Sequence, residues 1–279
     1  DPYISGSGDP QAGLAIYSAN NNTVENVIVL DSINRSNSDN SVFYLTGHAP
    51  DTVNNNKILG SIALNSEGGA LVMDSDLSSL NLFENMLLWG NSGGLSLTKT
   101  AVNNTYNKIT LNQSASSANY GVYHSGISTI FKDSLIMNAV LYAVKNTGSI
   151  SLNYNYFYNN ISNCEGCSLN GTNITTGANP NILYPIRQEV GSPLKGNASD
   201  GADRGATILY RYQNSVVTNT TLWPWPNEAR IRQDFCNASS LVDYQRVGTD
   251  ISQMCSSGKS LTEYVWESGG NAIPSALYP

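Results

Sequence analysis

One phrase recurs six times between Asn21 and Asn160, and it constrains this chain more than any other feature. The copies begin at Asn21-Asn22-Thr23-Val24, Lys57-Ile58-Leu59, Phe83-Glu84-Asn85, Asn103-Asn104-Thr105-Tyr106, Phe131-Lys132-Asp133 and Leu152-Asn153-Tyr154. Aligned on Val24, Ile58, Phe83, Tyr106, Phe131 and Leu152, the steps are 34, 25, 23, 25 and 21 residues. A period of that size fits one coil of a solenoid per copy, each coil burying its apolar side only by stacking on the next.

A second phrase alternates with the first: Gly13-Leu14-Ala15-Ile16-Tyr17, Ser41-Val42-Phe43-Tyr44-Leu45, Gly69-Ala70-Leu71-Val72-Met73, Gly94-Leu95-Ser96-Leu97, Gly121-Val122-Tyr123-His124 and Leu141-Tyr142-Ala143-Val144. Each coil therefore has at least two short strands with polar corners, one set of side chains pointing inward and the other outward. Stacking at about 4.8 Å gives six coils a length of roughly 30 Å. Equivalent residues then align from coil to coil: apolar columns fill the core, and Asn at the turns can ladder through side-chain amides. Ser-Asn-rich sequence between Asp31 and Asn54 reads as a longer loop.

Composition narrows the class. Only 13% of residues are charged, and sixteen are Tyr, which argues for strands and against disorder. A net charge of -7 with no basic run leaves no footprint for nucleic acid. No stretch is long and apolar enough for a membrane-spanning helix. Four Cys, low charge and abundant Asn, Ser and Thr point to an exported, extracellular or cell-surface protein with disulfides. The start at Asp1-Pro2 reads as a processed end or as a boundary within a longer chain, such as one module of an adhesin. Ten Asn-x-Ser/Thr sites are glycan candidates where the source glycosylates: Asn21, Asn34, Asn103, Asn112, Asn160, Asn170, Asn173, Asn197, Asn219 and Asn237.

The whole repeat pattern, over about residues 10–212, resembles a secreted right-handed parallel β-helix repeat protein. The resemblance implies an all-β solenoid over residues 1–212 followed by a C-terminal tail over 213–279. Gly191-Ser192-Pro193-Leu194-Lys195-Gly196 and Gly201-Ala202-Asp203-Arg204-Gly205-Ala206 resemble the closing segment of such proteins, with Thr207–Tyr212 as a final strand. The fold hosts lyases, hydrolases, adhesins and fibres, so it leaves function open.

The tail predicts two short helices, Asn227–Phe235 and one starting at the capping box Ser260-Leu261-Thr262-Glu263 and running through Trp266. Trp223, Trp225, Phe235 and Trp266 are its expected anchors, folding it back as a cap that blocks the open solenoid end. No equivalent cap is visible before Gln11.

Candidate sites are sparse. Cys164-x-x-Cys167 reads as a local disulfide rather than half a zinc site, because only His48 and His124 could add ligands. Cys236 and Cys255 would form the second bridge, although crossed pairings are open from sequence. Glu67, Asp74 and Asp76 form the densest acidic group on the coils. Carbohydrate-cleaving β-helix enzymes align carboxylates on neighbouring strands, whereas here the aligned positions are mostly Asn, Ser or Gly, and no Arg lies between Arg35 and Arg187. Solvated corners, or at most weak calcium ligands, are the reading; no catalytic residue and no cofactor is assigned. Tyr154, Tyr156 and Tyr158 alternate with Phe157 and offer a platform for sugar rings. The functional expectation is a non-enzymatic extracellular structural or surface protein, self-associating head to tail through its solenoid ends; the alternative is a polysaccharide-binding or polysaccharide-degrading β-helix of lyase or hydrolase type.

Overall fold

The computed structural model describes residues 12–31, 41–47, 50–75, 77–98, 102–113, 120–236 and 253–278. It is a parallel β-solenoid with three faces per coil. Face A holds seven strands: Ala12–Tyr17, Ser41–Gly47, Gly69–Ser75, Gly93–Thr98, Tyr120–His124, Tyr142–Asn146 and Ser162–Glu165. The repeated phrase bends once and supplies the other two. Its first half makes face B (Thr23–Glu25, Lys57–Leu59, Thr129–Lys132, Ile150–Asn153). Its second half makes face C (Ile28–Leu30, Ile62–Leu64, Leu135–Met137, Tyr156–Tyr158). Leu82–Trp89 and Thr105–Asn112 span both.

The register is the one the repeats predict. Val24, Ile58, Phe83, Tyr106, Phe131 and Leu152 are stacked partners, each paired with the next. Leu14, Phe43, Leu71, Leu95, Val122, Val144 and Cys164 form the matching row of face A. Phe83 and Tyr106 stack with ring centroids 4.6 Å apart.

The corners explain the excess of Asn. Asn21, Asn26 and Asp31 in the first coil, Asn55, Gly60 and Asn65 in the second, and Leu80, Asn85 and Gly90 in the third all have positive φ. They lie five residues apart, so each strand ends in one left-handed residue, the conformation that Asn, Asp and Gly adopt at least cost. The residue after a corner points inward and satisfies the turn. Asn22 Nδ2 donates to Asn56 Oδ1 at 3.0 Å, Asn56 to Asn81 at 3.2 Å and Asn81 to Asn104 at 3.1 Å. Each of those oxygens also accepts a backbone N–H from the preceding coil. Asn56, Asn81 and Asn104 are fully buried, and a buried amide is tolerated only when its groups are paired in this way.

Face C is apolar on both sides. Ala63, Leu88, Leu111, Ile136 and Phe157 face the solenoid core. Their neighbours Ile62, Leu64, Leu87, Trp89, Leu135, Met137 and Tyr156 face out and form a second core with Ile186, Leu194, Ile208, Leu209, Trp223, Val265 and Trp266 of the tail. The tail is helical as expected, and where two helices were expected its described residues form three: α1 (Glu228–Cys236), α2 (Gln253–Ser257) and α3 (Leu261–Trp266). Ser260 and Glu263 form the predicted capping box. Its position corrects the expectation of an end cap. Asn65 Nδ2 donates to Tyr264 Oη, and Trp89 Nε1 donates to Ser268 O, so the helices pack on the flank of the early coils. Trp223 and Trp266 are buried anchors and Trp225 is half-buried; the Phe235 side chain lies outside the described residues. The expected final strand also differs: Tyr210–Gln213 forms an antiparallel hairpin with Val216–Thr221 instead of adding to the solenoid.

Candidate functional site

The acids of the coils hold the tail. Asp31 accepts from Tyr264 Oη at 2.7 Å and from the Met254 N–H at 3.0 Å. Asp133 accepts from the Ser199 N–H at 2.5 Å and Ser199 Oγ at 2.6 Å. Glu84 accepts from Tyr212 Oη at 3.1 Å, and Glu25 from the Ser215 N–H at 2.5 Å. Burial, then the neighbouring Asp31, drives the Tyr264 hydroxyl pKa upward, and burial with Glu84 does the same for Tyr212. Both phenols therefore stay protonated donors. Residues 199–215 thus run along one corner, back from the Asp133 coil to the Asn26 coil. Asn85 Oδ1 accepts the Thr207 N–H, and Asn26 exchanges two hydrogen bonds with the Tyr212 backbone. A Cβ on Gly60 would meet the Tyr212 ring at 2.6 Å, so this corner needs Gly for the closeness of the strap as well as for its positive φ.

Arg204 is 5% exposed. Its guanidinium donates to Thr175 Oγ1 at 3.0 Å and lies 5.8 Å from the Tyr154 ring centroid. Burial lowers its pKa, and nearby Asp133 opposes that shift. With Lys108 bonded to Asp200 at 2.6 Å, these charges latch the strap and are directed at protein groups.

Of the expected acidic group, only Glu67 lies wholly within the described residues. Glu67 is exposed at the start of face A. Asp74 pairs in register with Thr46 and Thr98, while its side chain, and all of Asp76, lie outside the described residues. Among the described residues no group of three His, Cys, Asp or Glu could hold a metal ion. His48 also lies outside them. His124 is fully buried, with Nδ1 2.7 Å from Asn146 Oδ1. Asn146 is held in turn by Nδ2 donations to Gly148 O and Gly166 O. Burial lowers the His124 pKa, so the ring is a neutral core group. All four cysteines are paired as Cys164–Cys167 and Cys236–Cys255, which settles the pairing and removes the thiolates a zinc site would need.

The sequons divide by exposure. Asn21, Asn103, Asn170, Asn173, Asn197 and Asn219 are exposed. Asn112 is 4% exposed and accepts from Asn138 Nδ2, leaving no room for a glycan in the folded state. Asn160 donates its amide to Ile136 O and Asn163 Oδ1. Asn34 and Asn237 lie outside the described residues.

The expected platform of Tyr154, Tyr156 and Tyr158 is not open. Tyr156 is 1% exposed beneath the tail, Tyr158 packs on the same cluster, and Arg204 covers Tyr154. A different aromatic group lies on face A, where Tyr120 and Tyr123 have ring centroids 5.1 Å apart and Lys145 Nζ sits 5.8 Å from the Tyr142 centroid. Sequence reading missed it, because the group depends on the register that sets Tyr120 beside Tyr142 and Tyr123 beside Lys145 in adjacent coils. No helix of the described residues is long and apolar enough to cross a membrane. No protein-family profile, no curated protein and no solved structure matches the chain.

Proposed function

We propose that this is an extracellular structural or surface protein, a right-handed parallel β-helix that stacks end to end and has no enzymatic role. The carrying observation is the contrast between the end coils and the middle. Leu14, Val24 and Val29 of the first coil are half-buried, whereas their register partners Phe43, Ile58 and Ala63 are fully buried. Cys167, Leu169 and Ile174 of the last coil are likewise half-buried. Among the described residues, strand Ala12–Tyr17 pairs on one edge with Ser41–Gly47, and Ser162–Glu165 pairs on one edge with Tyr142–Asn146. Such edges are templates for another chain. Pairing the last coil of one molecule with the first coil of the next is heterologous, so it does not close and yields a filament. The strong chirality preference of parallel crossovers supports the right-handed sense. Two disulfides, low charge and six exposed sequons support the extracellular setting.

The test is electron microscopy of protein made without glycosylation, since Asn21 and Asn170 lie on the two end coils. Filaments that vanish when Val24→Lys and Val29→Lys charge the first coil are the expected result. Dispersed monomers of the unaltered chain at millimolar concentration contradict the reading. Polysaccharide binding is the second reading, favoured by the face A tyrosines.

A further inference from the structure

The outer side of face A carries a strip of rings and charges over its last three strands. Tyr120 is in register with Tyr142, and Tyr123 with Lys145 and Glu165. The Tyr120 and Tyr123 rings are inclined at 38°. Lys145 Nζ is 3.8 Å from Glu165 Oε1, and those two side chains are 35% and 44% exposed. The three tyrosines are half-buried. The described residues of the tail build their apolar cluster on face C. Further back in the Tyr123 row stand Ser96, Val72, Tyr44 and Ala15, and the ring among them, Tyr44, is 6% exposed, so the strip begins at Tyr120.

A sheet face bearing three tyrosines and an ion pair presents two kinds of surface. The rings offer flat apolar area with a hydroxyl at the edge, and the pair offers a donor and an acceptor. A pyranose has the complementary pair: an apolar C–H face and a rim of hydroxyls. The coil spacing of about 4.8 Å is close to the length of one pyranose residue, so a glycan laid along the solenoid axis advances by about one sugar per coil. The Lys145–Glu165 pair carries no net charge, and the chain carries -7, which disfavours a polyanion. We propose that Tyr120, Tyr123, Tyr142, Lys145 and Glu165 form a binding strip for a neutral polysaccharide, one sugar per coil. The strip lies on the side of the solenoid, so this inference and the stacking of coil ends stand or fall separately.

Affinity electrophoresis tests it, with native gels containing xylan, galactomannan, mixed-linkage β-glucan or polygalacturonate. The expected result is retardation by at least one neutral polymer, and about tenfold weaker binding after Tyr123→Ala with Tyr142→Ala. Tyr123→Phe with Tyr142→Phe should keep most of the binding, as should Tyr17→Ala on the first strand. Thermal melting of each variant separates lost binding from lost fold. No retardation in any neutral gel overturns the proposal. So does retardation by polygalacturonate alone, or binding that folded Tyr123→Ala, Tyr142→Ala protein retains in full.

Discussion

Faces B and C are consecutive halves of the same repeated phrase and share one backbone geometry, yet they meet different surroundings. On face B the inward column is Val24, Ile58, Phe83, Tyr106, Phe131 and Leu152, and outward positions include Lys57, Glu84, Asn107 and Lys132. On face C the outward positions are Ile62, Leu87, Leu135 and Tyr156, and the tail covers them. Alternation makes a face that stops at water, whereas a continuous apolar run makes one that needs a second layer. The difference also bears on stability. A bare solenoid gains only nearest-neighbour contacts between coils. The strap adds bonds from Asp133, Asn85 and Asn26 to one continuous segment, and so couples coils that do not touch.

The most severe way to break this contrast is to place the same charge on each face. Leu87→Lys buries an unpaired ammonium between face C and the tail and should cost about 4 kcal/mol or more. Ile130→Lys, at a face B position 41% exposed, should change stability by less than about 0.5 kcal/mol; urea unfolding of the two variants decides it. Next comes Trp266→Ala, which empties the centre of the second core. Its side chain is fully buried, and the expected loss is about 3–5 kcal/mol, with dye binding showing whether face C becomes exposed. Asn81→Ala interrupts the amide ladder and leaves the Asn56 N–H and side-chain amide without their acceptor. About 1–3 kcal/mol is expected, with little dye binding because face C stays covered.

Leu80→Gly should go the other way. Leu80 has φ 57 and is 56% exposed where its neighbours in the column are Asn55 and Asn103. Relief of the left-handed strain should raise stability by about 1 kcal/mol. The smallest effect is expected on acidification. Burial depresses the His124 pKa in the folded state. The contribution is therefore complete above the unfolded value of about 6.5. It is lost as pH falls below that value, because only the unfolded chain takes up the proton. Unfolding curves at pH 7.5 and 5.5 should differ in that direction, and His124→Gln should reduce the difference.

Much of the solenoid was legible because stacking repeats the same local problem. The six aligned residues of the phrase fell into register without exception, and Asn at the corners read correctly as turn and ladder. The three-faced coil was hidden: the bend inside the phrase is a single left-handed residue, and although Asn26, Gly60, Asn85 and Asp133 suit it, Lys108 and Tyr154 at the same position break the pattern. The strap was hidden for another reason. Its bonds join residues far apart in sequence, such as Asn26 with Tyr212, and nothing in either segment names the other. A signal did exist in Met86-Leu87-Leu88-Trp89 and Leu135-Ile136-Met137, where unbroken apolar runs mean burial on both sides. Followed outward, those runs would have placed the tail on the flank and closed the Tyr156 platform. The face A strip needed the Tyr120–Tyr142 register, which the repeat spacing contained.

Hydrogen exchange followed by mass spectrometry tests the strap most directly. The peptides to compare cover 23–30 in the first coil and 129–137 near Asp133, in the intact protein and in Trp266→Ala. If the strap, held down by the tail core around Trp266, unites the coils, both peptides exchange with one shared slow opening in the intact protein, and the first coil opens separately once Trp266 is removed and that core is emptied. Protection that already grades from the ends toward the middle in the intact protein, and is unchanged by Trp266→Ala, would contradict the account and leave the tail as a passive covering.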